Sequence, residues 1–96
     1  MMQVNYSHTA FQTLAGLVNY IESFNTEGAG LRWLSKFEKF LVTSFSEKTK
    51  FSICNNKAFQ QIGLYCIYYK DWVLAFSVQE DSVLIEAILH KSRITD

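Results

Sequence analysis

The sequence has 96 residues with nine basic and nine acidic side chains, so its formal net charge is zero. This balance excludes a global electrostatic attraction to nucleic acid or to an anionic membrane, and any such role would require a local basic patch. Because 49% of the residues are hydrophobic and 16% are aromatic, the composition excludes a disordered chain and favours one domain, residues 1–96, with a modest core.

The first predicted elements are a short strand at residues 3–6 and a helix that follows it. Ser7 is a candidate cap, because its hydroxyl can accept an orphan backbone N–H of the first helical turn. Apolar residues then recur at three- and four-residue spacing, which is typical of one helical stripe. The members of this stripe are Phe11, Leu14, Leu17, Val18, Ile21 and Phe24.

A break at residues 25–28 predicts the end of the first helix, since Asn and Gly tolerate the left-handed backbone used at such ends. The second helix is predicted from about residue 27 or 29 to residue 45. The break is short, so we expect an antiparallel helical hairpin. The predicted buried stripe of the second helix consists of Leu31, Leu34, Phe37, Leu41 and Phe45, widened by Trp33 and Phe40.

Residues 46–61 predict a loop with a short edge strand near residues 51–53, and three strands follow it. Their apolar residues alternate with a period of two. An antiparallel meander with one apolar face needs a cover, which the helical hairpin supplies. The sequence thus predicts a two-layer α+β fold in the order β-α-α-β-β-β. The alternating residues are Ile62, Leu64, Cys66 and Tyr68, then Trp72, Leu74, Phe76 and Val78, then Val83, Ile85, Ala87 and Leu89.

The two cysteines match no zinc or redox motif. Cys66 falls on a predicted core face, which favours a buried thiol, whereas Cys54 lies in a polar segment that leaves its exposure open. The sequence leaves a disulfide between them open. A leader peptide and an apolar run near 18 residues are both missing, so we expect a cytoplasmic protein with no membrane contact.

Several segments in this order resemble the RelE/ParE superfamily of type II toxins, which are small bacterial proteins partnered by antitoxins. The resemblance implies a RelE-like fold with a mostly antiparallel sheet of three to four strands. It also implies a cognate antitoxin that wraps and neutralises the protein. The matching segments are residues 4–10, 17–21, 28–34, 67–69 and 85–93.

The closest resemblance lies in the last segment, where a hydrophobic strand is followed by His90, two further residues and Arg93. These two are the candidate catalytic residues, because histidine serves as acid or base and arginine binds phosphate. The alternative is a solvated strand end. A basic patch for contact with a target or with phosphate would consist of Lys48, Lys50, Lys57, Lys91 and Arg93, against the alternative of an ordinary solvated loop.

A candidate partner interface consists of Trp33, Tyr65, Tyr69 and Trp72. Tyr65 and Tyr69 alternate with Leu64 and Tyr68, so they would form an aromatic patch if their sheet face were uncovered. The alternative is packing beneath the loop and the first strand. A homodimer is left open. The pattern predicts neither a cofactor nor a metal site.

The resemblance implies the toxin of a toxin–antitoxin or plasmid-stabilisation module. We expect it to be nearer the ParE branch, which poisons DNA gyrase by binding. Gln60 and Gln61 stand where many members carry an arginine, the net charge is zero, and no tyrosine follows Tyr69. These departures argue against the alternative, a RelE-like mRNA endonuclease acting on the ribosome. They also leave open a non-toxic binding homologue. The sequence does not decide whether the protein is an enzyme.

Overall fold

The computed structural model describes residues 3–46 and 51–93 and shows a five-stranded sheet covered by two long helices. The sheet order is β1-β5-β4-β3-β2, in which β1 is parallel to β5 and all other neighbours are antiparallel. The predicted α+β fold is confirmed. The elements are β1 (Gln3–Tyr6), α1 (His8–Ser23), α2 (Ala29–Ser46), β2 (Ser52–Ile53), α3 (Lys57–Gln61), β3 (Tyr65–Tyr69), β4 (Trp72–Val78), β5 (Ser82–His90) and a 3-10 turn (Lys91–Arg93).

Two differences from the predicted order concern short segments. The sheet has five strands because both β1 and the two-residue β2 join it at opposite edges. The segment expected to be mostly loop also contains α3, which begins after Asn56. The Asn56 side chain accepts a hydrogen bond from the Phe59 N–H at 3.2 Å, the contact by which asparagine caps a helix.

Ser7 joins three elements, and its predicted role as a cap is confirmed. Its hydroxyl oxygen accepts a hydrogen bond from the Ala10 N–H at 3.0 Å, and the same hydroxyl donates to the Glu86 carbonyl at 2.9 Å. The Ser7 N–H donates to the Ile85 carbonyl, also at 2.9 Å. The start of α1 is therefore tied directly to the middle of β5.

The predicted helical hairpin is confirmed, and its tight turn depends on two glycines. Gly28 has a φ of 85°, which favours glycine over other residues. A Cβ at Gly30 would lie 2.6 Å from the Val18 carbonyl oxygen, so the helices cross closely where this residue has no side chain. The Glu22 carboxylate of α1 accepts from the N–H groups of Gly28 at 2.7 Å and Gly30 at 2.9 Å.

The main core lies between the helical hairpin and the sheet. Its fully buried members include Phe37 of α2, Leu74 and Phe76 of β4, and Ile85 of β5. The buried stripes of both helices are narrower than predicted, because each helix buries only the side chains that face the sheet or the other helix. The predicted stripe members Phe11, Phe24 and Leu31 are 59%, 72% and 69% exposed.

A second, smaller cluster covers the opposite face of the sheet. The segment from residue 54 to residue 66, which we call the covering segment, folds back against β4 so that Val73 and Ala75 are buried beneath it. Ile62 was predicted to lie on the core face of a strand, which is wrong: it follows α3 and is 70% exposed. The buried members of this second cluster are Cys54, Leu64, Cys66, Val73 and Ala75.

Cys54, whose exposure the sequence left open, is buried and only 1% exposed. Cys54 and Cys66 form a disulfide, with their Cα atoms 4.8 Å apart. The bond joins the residue after β2 to the second residue of β3. The pattern of polar neighbours around Cys54 did not show this burial, because the cover comes from β3 and β4, which are distant in sequence.

The register between β4 and β5 contains a bulge that changes which side chains face the helices. Phe76 pairs with Ile85, whereas Ala75 pairs with Ala87, so Glu86 is an extra residue. A bulge of this kind reverses the alternation of faces along the strand. The strict alternation predicted for β5 therefore holds only up to Ile85.

Beyond the bulge, Ile88 rather than Leu89 is buried in the main core. Ala87 was predicted to face the helices and instead packs against the second cluster. The last residue of the strand, His90, shares the face of Ile88 by alternation. The bulge therefore decides the orientation of the candidate functional residue.

Candidate target-binding tip

Two chain turns meet at one end of the sheet and form a surface that we call the tip, residues 70–72 and 90–93. Lys70 and Asp71 connect β3 to β4, and Lys70 has a φ of 53°. The Lys91 N–H donates to the Asp71 carbonyl at 2.7 Å. This bond fixes the start of the 3-10 turn against the β3–β4 turn, so segments 20 residues apart form one surface.

His90 lies on the helix-facing side of the sheet at the tip. Its ring centroid is 5.2 Å from that of Trp72, with an interplanar angle of 88°, and the two residues are cross-strand partners. Unbroken alternation along β5 would have placed His90 on the face away from the helices, and the bulge at Glu86 reverses that orientation. The residue is half-buried, which makes it more constrained than a solvated strand end.

A hydrogen bond from the 3-10 turn indicates which ring nitrogen carries the proton when His90 is neutral. The Ser92 backbone N–H donates to His90 Nδ1 at 3.2 Å, and a backbone N–H cannot accept. Nδ1 must therefore carry a lone pair, so the neutral ring has its proton on Nε2. Ser92 Oγ lies 2.9 Å from the same nitrogen. The ring is left with an Nε2–H donor as its second polar group.

The predicted basic residues are distributed over separate elements. Lys91 begins the 3-10 turn and is exposed, while Arg93 is the last residue of that turn. Lys57 is also exposed but begins α3 in the covering segment. Lys48 and Lys50 lie outside the described residues. The tip brings together Lys91 and Arg93 with Lys70, which the sequence patterns did not select.

Lys70 gains a defined position from its neighbour. Its Nζ atom lies 5.4 Å from the centroid of the Tyr69 ring, a distance at which an ammonium is attracted to an aromatic face. The tip therefore carries two exposed lysines, Lys70 in the β3–β4 turn and Lys91 directly after His90. A surface of this kind suits hydrogen-bond acceptors and anions.

Comparison with known proteins assigns this fold to a family. A family model described as the ParE toxin of the type II toxin–antitoxin system parDE matches residues 4–95. The chain belongs to the ParE toxin family. A chain from the chromosomal ParDE system of P. aeruginosa has a similar structure, with a TM-score of 0.69 at 11% identity, covering 94% of this chain and 96% of that chain.

A search of curated proteins gave no match. At 11% identity, the structural similarity shows a shared fold, whereas the family model identifies the chain as a ParE-type toxin of a type II toxin–antitoxin system. The resemblance derived from the sequence is confirmed at this level. Neither comparison tests the roles of individual residues.

In this ParE-family toxin, the aromatic residues predicted to form a partner interface pack on the helix side of the sheet. Tyr69 lies beneath α2, with its ring 4.8 Å from that of Phe40 and 6.0 Å from that of Trp33. Tyr65 lies 5.8 Å from Phe76 in the core. The assumption of an uncovered face was wrong, because α2 covers it, so Tyr65 and Tyr69 are half-buried core residues.

Part of the exposed apolar surface of this toxin lies on the outer side of the helical hairpin. Tyr20 and Phe24, one helical turn apart on α1, have ring centroids 4.7 Å apart and are mostly exposed. The α2 residues Leu31 and Val42 are exposed as well. The sequence pattern had placed two of these residues, Phe24 and Leu31, in the predicted buried stripes. The signal that it missed is that the apolar residues of α1 span more of the helix circumference than one buried face needs.

Two further observations concern other kinds of site. Among residues 3–46 and 51–93, the structure places no group of three metal-ligating side chains together. In the same part of the chain, none of the helices combines the length and the apolar character needed to cross a membrane.

Proposed function

We propose that this chain is a ParE-like toxin that acts by binding a target such as DNA gyrase, without a chemical step of its own. The observation that carries the proposal is the construction of the tip, where His90 is held between Trp72 and Ser92. These two contacts hold the ring in one orientation at the tip. Such a surface contributes to recognition by position and charge.

The remaining tip residues support recognition of an acidic or phosphate-bearing surface. Lys70 in the β3–β4 turn and Lys91 in the 3-10 turn supply exposed ammonium groups, and Arg93, which was proposed from the sequence, is the last residue of the same 3-10 turn. The net charge of the chain is zero, so attraction to such a target is local to the tip. A gyrase target places the toxin in the cytoplasm, which is part of this proposal.

We propose that the cognate antitoxin binds the outer side of the helical hairpin. Phe24 and Leu31 expose apolar side chains near the hairpin turn, a surface that suits an amphipathic helix or an extended apolar segment of a partner. In the absence of the antitoxin, the same surface is where a homodimer would form. Sedimentation of the isolated toxin at increasing concentration tests that association.

The test of the proposed function is inducible expression in a bacterial host. We expect growth arrest with filamentation and DNA damage while mRNA stays intact. Lys91→Ala combined with Arg93→Ala is expected to restore growth. The matched control is Lys36→Ala combined with Lys39→Ala, which removes two exposed cations from α2 and should leave the arrest unchanged.

Two other outcomes of this test would contradict gyrase poisoning and would indicate a different function. Cleaved mRNA in a translating extract with gyrase inhibited would identify the RelE-like endonuclease and would place His90 and Arg93 in a catalytic site. Absence of arrest from a folded, well-expressed protein would instead identify a binding homologue that is not toxic. Each result contradicts gyrase poisoning by a different observation.

A further inference from the structure

A disulfide connects the first and last residues of the covering segment. Cys54 follows β2 and Cys66 lies within β3, so the disulfide closes the chain around α3. Both residues are buried, at 1% and 7% exposure. The bond therefore holds the segment against the second face of the sheet.

The non-covalent contacts of the covering segment are few. The five-residue helix α3 has no fully buried side chain, and a helix this short is unstable without tertiary support. The two residues of β2 are both exposed. Phe59 and Leu64 pack into the second cluster, and the Cys54 N–H donates to the Leu64 carbonyl at 3.1 Å. The disulfide thus adds a covalent restraint to this small set of contacts.

The rest of the sheet is held independently of this bond. Leu74 and Phe76 face the helices and are fully buried in the main core, while β4 pairs with β5 over its whole length. Loss of the disulfide would therefore act on the segment and on Val73 and Ala75 beneath it. The helical hairpin and the tip are built from other contacts.

We propose that Cys54 and Cys66 form a reversible thiol–disulfide site whose reductant is a dithiol, and that reduction releases the covering segment from the sheet. A thiolate of the dithiol attacks one cysteine sulfur, the S–S bond breaks, and the other cysteine leaves as a thiolate that takes up a proton. The second thiol of the dithiol then attacks the dithiol's own sulfur in the mixed disulfide and releases the remaining cysteine, which takes up a proton. Two electrons and two protons pass to the cysteines, and the dithiol becomes a disulfide.

Because both sulfurs are buried, attack requires local opening of the covering segment. After reduction, closing the segment again carries the entropy cost that the bond had removed. The apolar side chains of Val73, Ala75 and Ala87 would then be open to solvent or to a partner. The site would make access to the second sheet face depend on the thiol–disulfide state.

The test is hydrogen–deuterium exchange on the full chain, first after oxidation with glutathione disulfide and then after reduction with dithiothreitol. Thiol alkylation followed by mass measurement confirms zero and two free thiols in the two states. Upon reduction, we expect exchange of the Cys54 and Leu64 amides to accelerate at least about tenfold. Amides in the β4–β5 ladder should change by less than about twofold.

The double variant Cys54→Ala and Cys66→Ala is the matched control. It should show the exchange pattern of the reduced protein and no response to dithiothreitol. Equal exchange in the oxidised and reduced wild type would overturn the proposal, as would two free thiols after treatment with glutathione disulfide. Equal acceleration of amide exchange in every strand would show that the disulfide stabilises the whole fold. This result would also contradict local release of the covering segment. The wild-type comparison decides the matter even if the double variant does not fold.

Discussion

Gly30 shows how one residue sets the distance between the two long helices. It is buried at the start of α2, and a Cβ there would lie 2.6 Å from the Val18 carbonyl oxygen and 3.1 Å from Val18 Cγ1. The nearer atom belongs to the backbone, so it cannot move aside as the end of a flexible side chain does. The hairpin geometry therefore depends on the absence of a side chain at this position.

We expect Gly30→Ala to lower the free energy of unfolding by about 1–3 kcal/mol, because the helices must separate or distort. Chemical denaturation followed by circular dichroism measures this change. Gly16→Ala is the matched control: this position in α1 has nothing within 4 Å of a Cβ, so alanine should raise stability by about 0.5–1 kcal/mol. Equal effects at the two glycines would contradict the close approach at Gly30.

Glu22 is the second residue on which the hairpin depends. The N–H groups of Gly28 and Gly30 donate to its carboxylate and lower the pKa of this group below its ordinary value of about 4.5; the nearby Arg32 lowers the pKa further, and partial desolvation opposes the shift. A carboxyl with a lowered pKa contributes stability above about pH 4.5, and this contribution is lost as the pH falls through the folded-state pKa.

We therefore expect Glu22→Gln to flatten the acid side of the stability profile. Below about pH 4.5 the free energy of unfolding of the wild type should fall more steeply than that of the variant. Denaturant titrations at several pH values measure both slopes. Glu80→Gln, which changes an exposed residue of the β4–β5 turn, should keep the steeper wild-type slope. A variant slope equal to that of the wild type would mean that the Glu22 carboxylate does not stabilise the hairpin.

At the scale of elements, Ser7 connects the start of α1 to the bulge in β5. Ser7→Ala removes the cap of the helix and leaves the Glu86 carbonyl without its hydroxyl partner. We expect the free energy of unfolding to fall by about 1–3 kcal/mol. Ser23→Ala is a matched control, because its exposed hydroxyl donates to the Asn19 carbonyl within α1. The free energy of unfolding of the Ser23→Ala variant should stay within about 0.5 kcal/mol of the wild-type value.

The bulge also explains why the strand pattern predicted β5 well but placed its last residues on the wrong face. Apolar residues up to Ile85 alternate as expected, and the extra residue Glu86 then reverses the faces. An apolar stretch such as Ala87, Ile88 and Leu89 is compatible with either phase. The choice is made by pairing with β4 and by the Ser7 hydroxyl, both of which are distant in sequence.

At the scale of the whole molecule, the proposed antitoxin surface and the proposed target surface are built from different residues. Phe24 lies at the end of α1 on the outer side of the hairpin, whereas Lys91 lies in the turn after β5. We therefore expect changes at one surface to leave the other function intact. This separation rests on the proposed function and gives it an independent test.

Phe24→Glu should weaken binding of the cognate antitoxin at least about tenfold while growth arrest persists. Calorimetric titration measures the affinity, and growth after induction measures toxicity. Tyr68→Glu is the matched control, because Tyr68 is an exposed aromatic residue of β3 on the side away from the helices. Unchanged affinity of the Phe24 variant would place the antitoxin elsewhere, and equal weakening by both variants would indicate a general effect of the added charge.

The candidate site was only partly predictable from the sequence. His90 and Arg93 were selected by the resemblance, and the structure places both at the tip. Lys70 was missed because its relation to the tip depends on the contact between Asp71 and Lys91. Such a contact joins two turns that no local pattern connects.

The local features of this toxin could be derived from its sequence: two amphipathic helices, the cap at Ser7, the hairpin break and an antiparallel meander. These features follow from periodicity, capping and turn chemistry, which act over a few residues. Three further features arise only in the folded molecule, namely the parallel pairing of β1 with β5, the reversal of faces at Glu86 and the disulfide between Cys54 and Cys66. Each of these depends on contacts between distant segments, because the side that a residue buries is set by what packs against it.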